Sequence, residues 1–582
     1  MNAELLLAHY EQVADAPDAV ARLRRFILDL AVRGKLVPQE AADESATELL
    51  KRIEKEKTQR VKSGDLRKPR ELNDGGVLVE PFAIPSTWRW VRLDTVGAII
   101  GGGTPAATDA ENFAPPGEGV AWLTPADLGG YSDAYISQGS RDLSEKGLRS
   151  SSATVMPTGT VLFTSRAPIG YVAIAAAPIS TNQGFKSIVP YIVSCSQYIA
   201  IAMRAFAPGI DAKAPGTTFK EVSGKIVAAI PFPLPPLAEQ RRIVAKLDEL
   251  MILCDRLEAA RESRERFRDQ FAAASLARLN ASDAEAFQSQ VRFALEALPV
   301  LTARSDQIKA LRETILNLAV RGKLIRQDAN DEPASELLKR IAAENKMLIA
   351  AKGIRPQKPA IPAEDFEVDS EIPLTWCHVY LQDIAYQITD GTHLTPKYTE
   401  AGKPFLSAQN VKPFRFMPDR HRFVSEVDFD NYRANRRPER GDILMTRVGA
   451  GIGEAAVLNS DFEFAFYVSL CLIKIPNRFV SVDYLVLWLN SPEGRESSTI
   501  RTYGKGASQG NLNLGLIRTF KIPLPPLAEQ RRIVAKVDTL MALCDQLEAR
   551  LTSTAAIRCR LLDALLAEVL APAEDRALEA AE

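Results

Sequence analysis

Pro233 to Lys246 reads PLPPLAEQRRIVAK, and Pro523 to Lys536 repeats it letter for letter. The likeness continues through LDELMILCDRLEA (Leu247 to Ala259) and VDTLMALCDQLEA (Val537 to Ala549). A period of about 290 residues is far too long for a solenoid, so a large unit is duplicated. Each copy has the grammar of a helix start. Two prolines stop the preceding strand-like run, and proline at the first helical position costs no hydrogen bond. Glu239 and Glu529 fall in the first turn, where the helix dipole favours negative charge. Ile243, Leu247, Leu250, Cys254 and Leu257 then step by four and three, the spacing of a helix-packing seam, and Ile533, Val537, Leu540, Cys544 and Leu547 repeat it.

A second repeat orders the whole chain. LAVRGKL occurs at Leu30 to Leu36 and at Leu318 to Leu324, and ELLKRI at Glu48 to Ile53 and Glu336 to Ile341. This block precedes each variable region and the PPLAEQ block follows each. The centre of the chain therefore carries the two blocks joined, while the ends carry them separately. If the ends pair as the centre does, the arrangement is circular with an approximate two-fold axis. The glycine of LAVRGKL marks a helix end or a close approach.

The variable regions open alike, with IPSTWRWVRL (Ile84 to Leu93) and IPLTWCHVYL (Ile372 to Leu381). Both reach a Gly-Thr turn, GGGTP at Gly101 to Pro105 and DGTHLTP at Asp390 to Pro396. Short β-like runs follow between Gly, Pro and Ser clusters, with VLFTSRAPIG and ILMTRVGAGIG in corresponding places. VDYLVLWLNSPEGRESS (Val482 to Ser498) is read as a helical insertion, and Leu276 to Leu298, which has no counterpart at the other end, as an extra turn or helix. The expected class is α+β: two globular mixed α/β domains separated by long antiparallel coiled-coil helices. The expected boundaries are 1–80 (helical segment and linker), 81–232 (first globular domain), 233–355 (central helices), 356–522 (second globular domain) and 523–582 (last helix and tail).

Composition narrows the function. With 582 residues, 46% hydrophobic and 25% charged, the chain is an ordinary globular sequence of several domains. It has no apolar run long enough for a membrane span, and its N-terminus is acidic where a signal peptide is basic, so a cytoplasmic location is expected. Six cysteines without a CxxC read as buried thiols, and four histidines form no metal spacing. GAGIGEAA (Gly449 to Ala456) lacks the dinucleotide GxGxxG, and GKGASQG (Gly504 to Gly510) is not a phosphate loop. No Asn/Asp-Pro-Pro-aromatic sequence of an amino-methyltransferase is present, which points to a reader or adaptor without cofactor or metal. The net charge of −1 does not advertise nucleic acid, but a whole-chain average can hide a basic face.

The duplicated IPxTW, Gly-Thr turn, GxxLxTR-like loop, PLPPLAEQRRIVAK and LAVRGKL closely resemble the specificity subunit of type I restriction-modification systems, over essentially the whole chain. The resemblance implies a non-catalytic, DNA-binding subunit with two target recognition domains held apart by the repeated helices. It implies double-stranded DNA, two methyltransferase subunits and two restriction subunits as partners, with S-adenosylmethionine and adenine N6 methylation belonging to the methyltransferase. A helix pair of about 40 residues spans roughly 60 Å, enough to set two readers about one helical turn of DNA apart. An orphan methyltransferase and a coiled-coil scaffold are the competing readings. In the second domain, Arg415, Arg420, Arg422, Arg433, Arg436, Arg437, Arg440 and Arg447 form a candidate phosphate-contacting group, against the plainer reading of salt-bridged surface. Ser165, Arg166, Asn182, Gln183 and Lys186 in the first domain, and Lys505, Ser508, Gln509, Asn511 and Asn513 in the second, suit base edges. Thr104 and Thr392 are candidates at the matching turns.

Overall fold

The computed structural model describes residues 15–65, 78–215, 220–281, 284–351, 372–500 and 510–570. It divides into two units: the first holds the chain up to Ser263 together with the segment from Ala555 onward, and the second holds Arg264 to Thr554.

In the first unit, α1 (Ala19–Val32) and α2 (Ala46–Lys62) precede eleven strands, interrupted late by α3 (Ser196–Lys213) and followed by the long α4 (Leu237–Ala281). Ser45 caps α2 by accepting from the Glu48 N–H at 3.4 Å. β1 (Arg89–Arg92) pairs antiparallel with β11 (Pro231–Leu234), so the start and finish of the globular part are tied together. A five-stranded sheet has the order β2 (Gly97–Gly101), β10 (Lys186–Pro190), β7 (Val161–Ser165), β8 (Ile169–Ala175), β5 (Tyr135–Ile136). A four-stranded sheet runs β3 (Phe113–Ala114), β6 (Arg141–Leu143), β4 (Val120–Leu123), β9 (Ser180–Thr181). β7 is buried along its whole length, because α3 covers the sheet that holds it.

The second unit continues with α5 (Ala284–Glu296), α6 (Ser305–Val320) and α7 (Ala334–Ala350) and then repeats the plan of the first. β12 (Cys377–Tyr380) pairs with β23 (Lys521–Leu524). β13 (Gln387–Asp390), β22 (Leu470–Lys474), β19 (Ile443–Thr446) and β20 (Ala455–Val457) form one sheet. β14 (Tyr398–Thr399), β18 (Arg422–Val424), β15 (Lys403–Leu406) and β21 (Ala465–Phe466) form the other. β16 (Val411–Lys412) and β17 (Arg415–Phe416) add a small hairpin, α8 (Glu426–Arg433) follows β18, and α9 (Val482–Asn490) and α10 (Pro492–Ile500) follow β22. The last helix, α11, is Leu527–Leu570.

The repeated letters are one joint, built twice. LAVRGKL is a helix C-terminus: the Lys35 N–H donates to Leu30 O at 3.0 Å and Lys323 to Leu318 O at 2.9 Å, the long bond of a Schellman cap. Gly34 and Gly322 supply the left-handed residue at φ +67° and +69°. They also let the proline of IPxTW approach, since a Cβ on Gly34 would lie 2.5 Å from Pro85 Cγ and one on Gly322 2.4 Å from Pro373 Cγ. Trp88 Nε1 then donates to Glu239 at 2.9 Å, the Gln39 amide donates to the same carboxylate at 2.6 Å, and Thr87 donates to Gln39 at 2.8 Å. Burial pushes the Glu239 carboxyl above its ordinary value, against the Trp88 and Gln39 hydrogen bonds that favour its charge. In the second unit Glu529 faces Trp376 and Gln327 and is raised in the same way, although the Trp376 N–H lies outside hydrogen-bonding geometry. Arg242 forks onto Asp43, and Arg532 onto Asp331. Tyr198 and Tyr484 stand edge-on to the two tryptophans and donate to Pro233 O and Pro523 O.

The ends of the chain pair as its centre does, as the order of the repeats predicts. In the first unit Ala16 and Ala19 pack on Leu562 and Leu565 of α11, Arg22 pairs with Asp563, and Lys35 Nζ donates to Leu570 O at 2.7 Å. In the second, Arg304 pairs with Glu265 and Asp269 of α4, and Lys323 Nζ reaches Asn280 O at 3.4 Å. Each repeated lysine thus sits at the negative end of a long helix.

Three expectations are corrected. Leu276 to Ala281 is not an unmatched insertion but the end of α4, with Leu276 and Leu279 buried, and the stretch without a counterpart starts beyond it. Val482 to Ser498 is no insertion either, because Tyr484 in α9 does what Tyr198 does in α3. The seam is shorter than its periodicity: Ile243, Leu247 and Cys254 are buried and Leu250 half-buried, but Leu257 is 37% exposed. Ile533, Val537 and Cys544 are buried, with Leu540 and Leu547 half-buried.

Candidate nucleic-acid interface

Strand register decides which residues are equivalent. Ile188 of β10 pairs with Ile99 and Val161, and Ile473 of β22 pairs with Ile388 and Ile443. Counting from these pairs, Gly102 matches Gly391, Ser165 matches Arg447, and Thr104 matches His393. The glycine match is physical: a Cβ on Gly102 would lie 1.9 Å from Asn182 O, and one on Gly391 2.2 Å from Phe466 O. Thr392 therefore matches Gly103, not Thr104. It is buried, and its N–H donates to Phe466 O just as Gly103 donates to Thr181 O.

In the first unit this edge is a polar network in which Thr104, Gln183 and Glu221 are exposed and Arg166 and Lys186 half-buried. The Thr104 hydroxyl donates to the Gln183 side chain, Lys186 Nζ donates to Gln183 O at 3.2 Å, and Lys186 and Arg166 both lie 3.7 Å from Glu221. Burial and the Arg166 charge lower the Lys186 ammonium, which Glu221 partly restores. Four of the residues singled out in the sequence, Thr104, Gln183, Lys186 and Arg166, are thus brought together. Ser165 is a correction. It is fully buried and its hydroxyl donates to Gly184 O at 3.1 Å, so it belongs to the interior. Asn182 is half-buried and shapes the turn by accepting from the Gly184 N–H.

In the second unit the same edge has an ionic core. Arg447, expected among the surface arginines, is buried. Nη1 donates to Asp390 Oδ2 at 2.7 Å, Nε to Leu512 O at 2.9 Å, and Nη2 to Asn511 Oδ1 at 3.1 Å. His393 Nε2 meets the same Asp390 oxygen at 3.0 Å. Cys471, which matches Lys186, is fully buried nearby, and burial pushes its thiol up to about 12. Lys505, Ser508 and Gln509 lie outside the described residues. Asn513 caps the short helix that follows it, accepting from the Gly515 N–H.

The other arginines fall into two sets. Arg433 and Arg437 share Glu463, Arg440 reaches Asp461 at 3.8 Å, and Arg422 lies over the Tyr398 ring. Arg415 and Arg420, both exposed, and half-buried Arg436 meet no carboxylate among the described residues. Arg415 follows Phe414, which is 48% exposed at φ +63°, so the hairpin tip offers an aromatic beside an exposed cation. The described residues hold no metal-ligating group of histidine, cysteine and carboxylate side chains, and no helix among them is long and apolar enough to cross a membrane.

The family model described as type I restriction modification DNA specificity domain matches residues 85–264 and 373–555. The EcoEI specificity subunit of Escherichia coli is 30% identical over 94% of this chain and 93% of its own. The chain belongs to the type I restriction enzyme specificity subunits. The EcoAI specificity subunit of Escherichia coli is 28% identical over the same shares. The HsdS subunit from Thermoanaerobacter tengcongensis aligns with 84% of this chain and 98% of its own at 20% identity and a TM-score of 0.41. A chain from a structure of type I R-M complex assembly aligns over 84% and 99% at a TM-score of 0.47. In this specificity subunit each matched stretch opens at IPxTW and closes within a long helix, so the family signature and the doubled joint coincide. Sequence reasoning missed His393 and Asp390. The signal for them was a histidine and an acid flanking the Gly-Thr turn.

Proposed function

We propose that this specificity subunit reads a bipartite, asymmetric DNA sequence, one half-site per unit. It directs methyltransferase subunits, acting at adenine N6, and restriction subunits to that sequence, two of each, in the cytoplasm. The observation that carries the reading is the contrast within each unit. The joint is copied down to its ion pairs, with Arg242 on Asp43 and Arg532 on Asp331, while the equivalent edges carry different chemistry. Thr104, Lys186 and Glu221 occupy one edge, and His393, Cys471 and Asn511 the other. A frame kept constant under two unlike polar edges fits a protein that assembles with the same partners twice and reads two different sequences. Arg415, Arg420 and Arg436, which meet no carboxylate among the described residues, would contact phosphates, which position the protein without specifying bases. The helices between the readers would set the spacer.

The test exchanges residues 88–232 for the same region of a relative and maps methylated sites in cells carrying the partner subunits. One half-site should change and the other stay. Alteration of both half-sites would refute independent readers.

A further inference from the structure

We propose that His393 and Asn511 are the specificity-determining side chains of the second unit, and that buried Arg447 is the positioning residue that holds them. The inference rests on the reading of this chain as a two-part DNA reader.

Four side chains form one continuous line: His393 to Asp390 at 3.0 Å, Asp390 to Arg447 at 2.7 Å, and Arg447 to Asn511 at 3.1 Å. The middle of the line is interior and its ends are not. The Asp390 and Arg447 side chains are 12% and 7% exposed, whereas His393 is 68% exposed and Asn511 is exposed. A buried guanidinium is costly unless it is paired and hydrogen-bonded. Here Asp390 Oδ2, Asn511 Oδ1, Leu512 O and Val468 O take its hydrogen bonds, so it clamps three separate chain segments at once. The outward groups that remain are an imidazole and an amide N–H₂. An amide N–H₂ can donate to a base acceptor in the major groove, such as a purine N7, and imidazole offers one donor or acceptor. The fixed separation of the two groups gives them the rigidity that base discrimination needs. In the first unit the position of Arg447 is filled by Ser165, and the matching edge is built from exposed Thr104 and Glu221 and half-buried Lys186 instead. The two units therefore present different donors and acceptors from the same place in the fold.

The experiment maps methylated sites in cells that carry the full chain with its partner subunits, for the parent, His393→Ala, Asn511→Ala and Arg447→Lys. Each variant is purified to compare its thermal midpoint with the parent's. His393→Ala removes only an exposed end, so its midpoint should stay unchanged, whereas Asn511→Ala also takes one acceptor from buried Arg447 and should lower the midpoint modestly. Both should lose on the order of tenfold discrimination at a base pair of one half-site, the other half-site being untouched. Arg447→Lys keeps a charge opposite Asp390 but loses the fork to Asn511, and should relax the same half-site while the complex still methylates. A purely structural role for Arg447 would lower the midpoint and overall methylation without altering the base preference, and that result would overturn its assignment. An unchanged motif in both alanine variants would overturn the inference while leaving the two-reader proposal intact. A parent complex whose methylated sites show no bipartite motif would refute that proposal, and this inference with it.

Discussion

Gly34→Ala tests the joint at its tightest point. Two costs fall on the new methyl group. Alanine at φ +67° sits in the left-handed region, which costs about 1–2 kcal/mol. Its Cβ would also lie 2.5 Å from Pro85 Cγ and 2.6 Å from Pro85 Cδ, atoms of a rigid ring pinned beside Trp88. Separating them means moving IPxTW off the end of α1, an overpacking cost of about 1–3 kcal/mol. Together these predict a loss of about 2–5 kcal/mol. Gly64 is the internal control, since it has φ +81° with nothing within 4 Å of its Cβ, so Gly64→Ala bears the backbone cost alone.

Thermal unfolding of both variants measures the difference, at roughly 2–4 °C per kcal/mol for domains of this order. Gly34→Ala should melt several degrees below Gly64→Ala. Gly322→Ala, with its Cβ 2.4 Å from Pro373 Cγ, should cost as much as Gly34→Ala. Equal midpoints for Gly34→Ala and Gly64→Ala would show that the proline contact stabilises nothing, and the joint would then be a coincidence of sequence.

Leu247→Ala should cost about 2–5 kcal/mol in denaturant titration because Leu247 is buried, whereas Leu257→Ala, at an exposed site, should fall within about 0.5 kcal/mol of the parent. The Glu239 carboxyl titrates above its ordinary 4.5 in the folded chain, because burial outweighs its hydrogen bonds. The folded state then binds more protons than the unfolded one, so this group's contribution is full below pH 4.5 and is lost as pH rises through the folded value. Glu239→Gln keeps an acceptor for Trp88, and stability measured against pH should be flatter just above 4.5 than in the parent.

What could be read from the sequence follows from what identical letters encode. LAVRGKL, IPxTW and PPLAEQ each look like a local signal, a helix end, a strand start and a helix start. Because both copies keep all three, their mutual contact was implicit, and the two readings of the LAVRGKL glycine turn out to hold together, a helix cap and a close approach. Periodicity along α4 showed which residues share a face but not how far a neighbour covers it, so Leu257 was read as seam although it is solvated. The edge of the sheet was harder for a different reason. Aligning the two Gly-Thr dipeptides equated Thr104 with Thr392, but equivalence in a sheet is set by strand pairing, and a shift of one residue turns an exposed side chain into a buried one. Arg447 was counted with its neighbours because a run of arginines carries no mark of which one points inward. Its partner Asp390 is 57 residues earlier in the chain, so their meeting depends on β13 and β19 flanking β22. The residues that differ between the two edges thus depend on long-range pairing, while those that repeat depend on local grammar, so the frame was legible and the chemistry of the edge was not.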